Sequence, residues 1–206
     1  MPEVLRALRR EHGQFGRLLD TLDWHVTRLE QGATADYELI RACLDYFLGF
    51  PDIAHHPKED RLYVKLCARA PQETTAIGDL AREHVALARK SRDFATALDA
   101  VLGDAIVPRD ALTRWGRSFI DLQRDHMMLE ERIFFPAAEL KLTETDWADL
   151  TSEIADQPLS PTRSADLAGY EALARTILRW QGELDGTAGH PPLPPASGLI
   201  AQPHQT

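Results

Sequence analysis

The sequence has little of what marks a membrane, secreted or nucleic-acid-binding protein. No run approaches the roughly 20 consecutive apolar residues that a bilayer span requires. The charged opening MPEVLRALRREH lacks the apolar stretch of a signal peptide. Basic charge is also short, with 23 Lys and Arg against 32 Asp and Glu and a formal charge of −9. Nucleic-acid phosphates and acidic membrane surfaces are held by clustered cations, so neither is an expected partner. Small molecules, metals and proteins remain, and the expected location is the cytoplasm. The only cysteines, Cys43 and Cys67, lie 24 residues apart in one predicted helix. That separates them by roughly 36 Å, far beyond disulfide reach. Alternating strand patterns are missing too, so the chain reads as all-α. At 206 residues and 44% hydrophobic it can bury one ordinary core.

What is present is helical periodicity. Val4, Leu5, Leu8, Phe15, Leu18, Leu19, Leu22 and Val26 define a helix over about 3–30, ended by Gly32. Thr34 or Asp36 caps a second over about 35–70, kinked or broken near Pro51 and Pro57. A third spans about 72–102, ending at Gly103, and a fourth starts just past Pro108 with a late kink at Pro136. Short loops make neighbours antiparallel, giving an up-down-up-down four-helix bundle over 1–142. Two shorter helices follow over 143–185, suited to capping the open end of the bundle or to a homodimer contact. Residues 186–206, rich in Pro, Gly and Ala, read as a mobile, dispensable tail, and His190 and His204 within it get no role.

Counting outward from the turns near 32, 71 and 105 brings four of the eight histidines to one level. His12 lies 20 residues before the first turn and His55 lies 23 after it. Glu59 lies 12 before the second turn and His84 lies 13 after it, while His84 and His126 each lie 21 from the third. His25 fails this test. His55 with Glu59 and His126 with Glu130 are also i,i+4 pairs, which share a helix face and can grip one ion. The segments HHPKEDRLY and HMMLEERIF align as His, three residues, Glu, an acid, Arg, an aliphatic and an aromatic, as if they were two half-sites.

Four imidazoles and two carboxylates crowd one metal but suit two at about 3.5–4 Å with bridging carboxylates. Mixed nitrogen and oxygen donors favour iron over calcium or magnesium, and the lack of thiolate weakens a structural zinc site. Iron or manganese remains, with iron preferred, so two iron ions are expected and manganese or zinc is less favoured. Against this, a lone helical histidine is usually a surface or hydrogen-bonded core residue, and i,i+4 His–Glu pairs occur as plain helix charges. The shared level favours ligation. His56 points about 100° from His55, so it reads equally as a further ligand, a donor to a ligand or a surface residue. Tyr63 and Phe134 read as apolar walls. Glu11, Asp60, Glu83, Asp125 and Glu131 could orient imidazoles, but solvated charge is the preferred reading.

These residues resemble the hemerythrin-like, or HHE cation-binding, family. REH around His12, HHPKED at 55–60, REH around His84 and HMMLEERIFFP at 126–136 carry the likeness over residues 1–142. It implies a di-iron centre in an up-down-up-down bundle on His12, His55, Glu59, His84, His126 and Glu130. Two departures stand out: Ala88 occupies the place of a second histidine on the third helix, and Glu130 stands four residues after His126 where oxygen carriers have an aspartate at five. A coordination position is therefore open unless His56 fills it. The pattern is similar to relatives that handle nitric oxide or peroxide or repair iron centres. Oxygen, nitric oxide or peroxide is the expected ligand, in oxidative or nitrosative stress defence. The alternatives are a non-catalytic iron- or oxygen-binding or sensing module, and a bundle without metal.

Overall fold

The computed structural model describes residues 1–155 and 161–186, so the segment read as a mobile tail lies outside the described residues, apart from its first residue. The described part consists of helices joined by short connections, with no strand. The first long helix, α1 (Glu3–Glu30), ends where Gly32 turns the chain at a φ of 78°. α2 (Tyr37–Phe50) starts at Asp36, whose side chain accepts from the Leu39 N–H at 2.9 Å.

The expected kink near Pro51 and Pro57 is instead a π-helical turn, Pro51–His55, that leads without a break into α3 (His56–Arg69). Pro57 has no N–H to give the carbonyl of Ile53, and its ring crowds that carbonyl. The ladder widens there, and the His56 N–H reaches back to the Pro51 carbonyl. The fourth run repeats this device. α6 (Arg109–Leu129) passes through a π turn, Glu130–Phe134, into α7 (Phe135–Lys141), and the Phe135 N–H reaches the Glu130 carbonyl just before Pro136. Both turns fall on the segments of interest, as π turns often do at functional sites.

The third run starts later than expected. Residues 71–77 form a 3₁₀ turn and the short α4 (Thr74–Ile77), and Gly78 then takes a φ of 82°. Asp79 caps α5 (Leu80–Leu102) by accepting from the Arg82 N–H. Pairing of α1 with α6, α6 with α5, α5 with α2 and α2 with α1 closes an antiparallel four-helix bundle. Arg117 and Arg124 on α6 bind Asp20, Asp23 and Glu30 on α1 and pin that pair in register.

The two further helices pack on the bundle. α8 (Glu144–Ala155) opens with Thr143 and Asp146, each accepting from the other's backbone N–H, and Arg69 of α3 grips Asp146 with two nitrogens. α9 (Pro161–Gly186) lies along α2 and α1 and adds Tyr170, Ile177 and Trp180 to the core. Tyr170 sits where a Cβ on Gly49 would be, so the missing side chain lets the helices approach.

Apolar burial forms two clusters. One holds Phe15, Leu22, Phe47, Phe94, Phe119 and the α9 residues, and the other Leu5, Leu8, Leu62, Leu66, Phe134, Phe135 and Leu150. On all four bundle strands of chain the change from one cluster to the other comes at the same level, and polar residues occupy it. Cys43 and Cys67 are both free. No helix among the described residues is long and apolar enough to cross a membrane.

Candidate metal centre

The polar level is where the histidines meet. His12 from α1, His55 from the first π turn, Glu59 from α3 and Glu130 from the second π turn bring one donor atom each within 4.8 Å of one another. His56, Glu59, His84 and His126 form a second such group. All six residues singled out from spacing therefore converge, and His56 joins them. His55 and His56 are adjacent yet serve different groups, because successive helical side chains diverge by about 100°. All seven are buried, with both glutamates at 0% exposure.

The two carboxylates face both ways. Glu59 directs Oε1 at His55 Nε2 (3.0 Å) and Oε2 at His84 Nε2 (3.5 Å). Glu130 directs Oε1 at His126 Nε2 (3.1 Å) and Oε2 at His12 Nε2 (3.3 Å).

Each imidazole is held from behind by an acid. His55 Nδ1–H donates to Glu11 (2.8 Å), His12 to Glu131 (2.9 Å), His126 to Glu83 (2.8 Å) and His56 to Asp52 (3.0 Å). Asp60 stands 3.5 Å from His84 Nδ1. This corrects the reading of Glu11, Glu83 and Glu131 as merely solvated charge; Asp125 alone of those acids stays exposed away from the histidines. Asp52, one turn before His56, was missed, and its i,i+4 spacing was the available signal.

With Nδ1 carrying the proton, every Nε2 presents a lone pair to the centre. Five such nitrogens and four carboxylate oxygens then face one another. His12 and His55 bring theirs within 3.1 Å, and the Glu59 and Glu130 oxygens have no hydrogen-bond donor. Only cations satisfy acceptors arranged this way. The field is strong: burial opposes charge on His12, yet the carboxylates of Glu130, Glu131 and Glu59 facing it carry it up to about 11. His84 and His126 rise to about 9 for the same opposed causes. Donor set and field both fit a metal.

Aromatic rings enclose one side. Phe135 stacks on His12 with centroids 5.3 Å apart, and Phe15 meets His55 edge-on at 4.7 Å. Phe134 is buried in the second apolar cluster against Tyr63, whose hydroxyl donates to the Gly78 carbonyl. His25 is buried elsewhere, its Nδ1 accepting from the Asp36 N–H at 3.3 Å.

An antiparallel helical bundle closed around a buried layer of histidines and carboxylates defines a cation-binding protein. The family model described as the hemerythrin HHE cation-binding domain matches residues 3–138, and the chain belongs to that family. Neither the curated proteins nor the solved structures give a match to the chain.

Proposed function

We propose that this centre binds two metal ions, iron in preference to manganese or zinc, and takes up a small ligand such as oxygen, nitric oxide or peroxide. The observation that carries this reading is the division of Glu59 and Glu130, each with one oxygen toward either histidine group. Carboxylates placed this way suit a shared pair of ions. His12 and His55 would hold one ion, and His56, His84 and His126 the other. Bound iron would supply redox chemistry and a position for the ligand.

This chain's own residues set the conditions for that chemistry. The acids behind the imidazoles fix which nitrogen is free, and Phe15 and Phe135 keep water from the side with two histidines. The smaller imidazole count there leaves more of that ion's surroundings to an outside ligand. Free Cys43 and Cys67 accord with the reducing cytoplasm in which such a protein would meet oxidative or nitrosative stress.

Elemental analysis of protein purified without chelators should give two irons per chain. One zinc per chain would overturn the assignment. Anaerobic reconstitution, followed by oxygen, nitric oxide and peroxide in turn under optical spectroscopy, then separates turnover from stoichiometric binding. Turnover means an oxidoreductase, and binding alone means a sensing or storage module.

A further inference from the structure

The acids behind the five imidazoles differ between the two halves of the centre. Behind His55, Glu11 is itself paired with Lys58, and behind His12, Glu131 is paired with Arg9 at 3.1 Å. Each of these carboxylates has its charge offset by a cation. Behind His56, His84 and His126 stand Asp52, Asp60 and Glu83, and among the described residues no lysine or arginine nitrogen comes within 4.0 Å of them. One half is backed by two neutral pairs and the other by three unpaired acids.

An unpaired carboxylate accepting from Nδ1–H makes the imidazole a better donor, whereas a cation on that carboxylate withdraws the effect. The half with the unpaired acids also has three imidazoles against two. Water screens Asp52 and Asp60, which are 55% exposed, but the 2.8 Å hydrogen bond from His126 to Glu83 acts directly. The same half reaches the surface. His56 and His84 are the most exposed of the seven donors at 7% each, and the acids rim that edge where they attract a cation.

We infer that the two positions fill in order, the one at His56, His84 and His126 first and more tightly, and the one at His12 and His55 second and exchangeably. This rests on the two-metal reading above. It assigns Glu83 and Lys58 opposite positioning roles: Glu83 strengthens the first ion, and Lys58 weakens the second.

The test is calorimetric titration of the full chain, stripped by chelator, with cobalt(II) under nitrogen at neutral pH. Two binding steps are expected, separated by about tenfold or more. His84→Ala should remove the tight step and His12→Ala the weak one. Glu83→Gln should weaken the tight step by about 10–100-fold with the weak step little changed. Lys58→Met should tighten the weak step by several-fold, and this separate variant, at a part-buried site that keeps the length of the side chain, guards against a folding failure in the Glu83 variant. Two equal steps in the unaltered chain, or loss of the tight step in His12→Ala, would overturn the order while leaving two metals intact. Uptake of a single cobalt would overturn the two-metal reading itself, and the order with it.

Discussion

The ring of His56 lies flat against that of His84, centroids 3.8 Å apart and planes within 10°. The third bundle helix has Ala88 one turn beyond His84, where an additional histidine would complete the set. Under the two-metal reading, His56 would supply that imidazole from α3 instead. In the unaltered chain Ala88→His should therefore change metal content and azide or nitric oxide binding little. His56→Ala should lose about one metal per chain, and Ala88→His placed in that background should restore it. Metal analysis of the three variants decides: full metal retention in His56→Ala would place this ring outside the centre.

His55→Ala and Glu130→Ala each remove a donor from the half with two histidines, and Glu130 faces the other half as well. Both should lose metal, Glu130→Ala the more severely. His25→Ala should keep it, since His25 serves the loop before α2. Equal metal content in all three after gel filtration would mean that the wrong level has been identified.

His25 carries a separate prediction about acid. Burial, helped by Arg28 and opposed by Asp36, pushes it down to about 4, so it stays neutral in the fold. The unfolded chain takes up this proton near 6.5 while the folded chain resists until about 4. Its contribution is therefore fully present above 6.5 and declines as pH falls from 6.5 to 4. The whole effect is roughly 3 kcal/mol. Urea unfolding of the chain and of His25→Gln at several pH values should show their stability difference shifting against the histidine by that order. A constant difference would refute it.

Two glycines act through close packing. A Cβ on Gly116 would lie 2.7 Å from Val26 Cγ2 and 3.1 Å from Phe94 Cζ, and one on Gly49 would overlap Tyr170. Alanine at an exposed helical site gains about 1 kcal/mol over glycine. Here overpacking by about 1–3 kcal/mol should outweigh that gain and lower the melting temperature. In a Tyr170→Ala background the sign should reverse for Gly49→Ala, which thermal melts of the double-mutant cycle would reveal.

The level of the donors was legible because helical rise is fixed: equal counts from a turn give equal heights, whatever the side chains do. His12, His55, Glu59, His84, His126 and Glu130 were found that way. Rotation about a helix was less legible. The direction of His56 depends on a π turn enforced by Pro57, and the prolines showed only that the ladder is disturbed. Glu11, Glu83 and Glu131 bind imidazoles on other helices, so no spacing within one helix announces them. The late start of α5 was visible in Gly78 and Asp79, a positive-φ residue beside a cap, but the apolar run across them masked it. The partner of α9 was hidden altogether, since an amphipathic pattern gives the face of a helix and not what it covers.

The division of the apolar core by the donor layer bears on how the molecule opens. Each long helix is anchored by oil at both ends and by charge in the middle. Cations bound at that waist act as rivets, and the two ends should then exchange their amide hydrogens as one cooperative unit. Stripped of metal, the waist is left with protonated imidazoles facing Glu59 and Glu130, a looser link than a shared ion. The end closed by α4 and α8 should then breathe at lower free energy than the end braced by α9, so that a single molecule carries two protection thresholds in place of one.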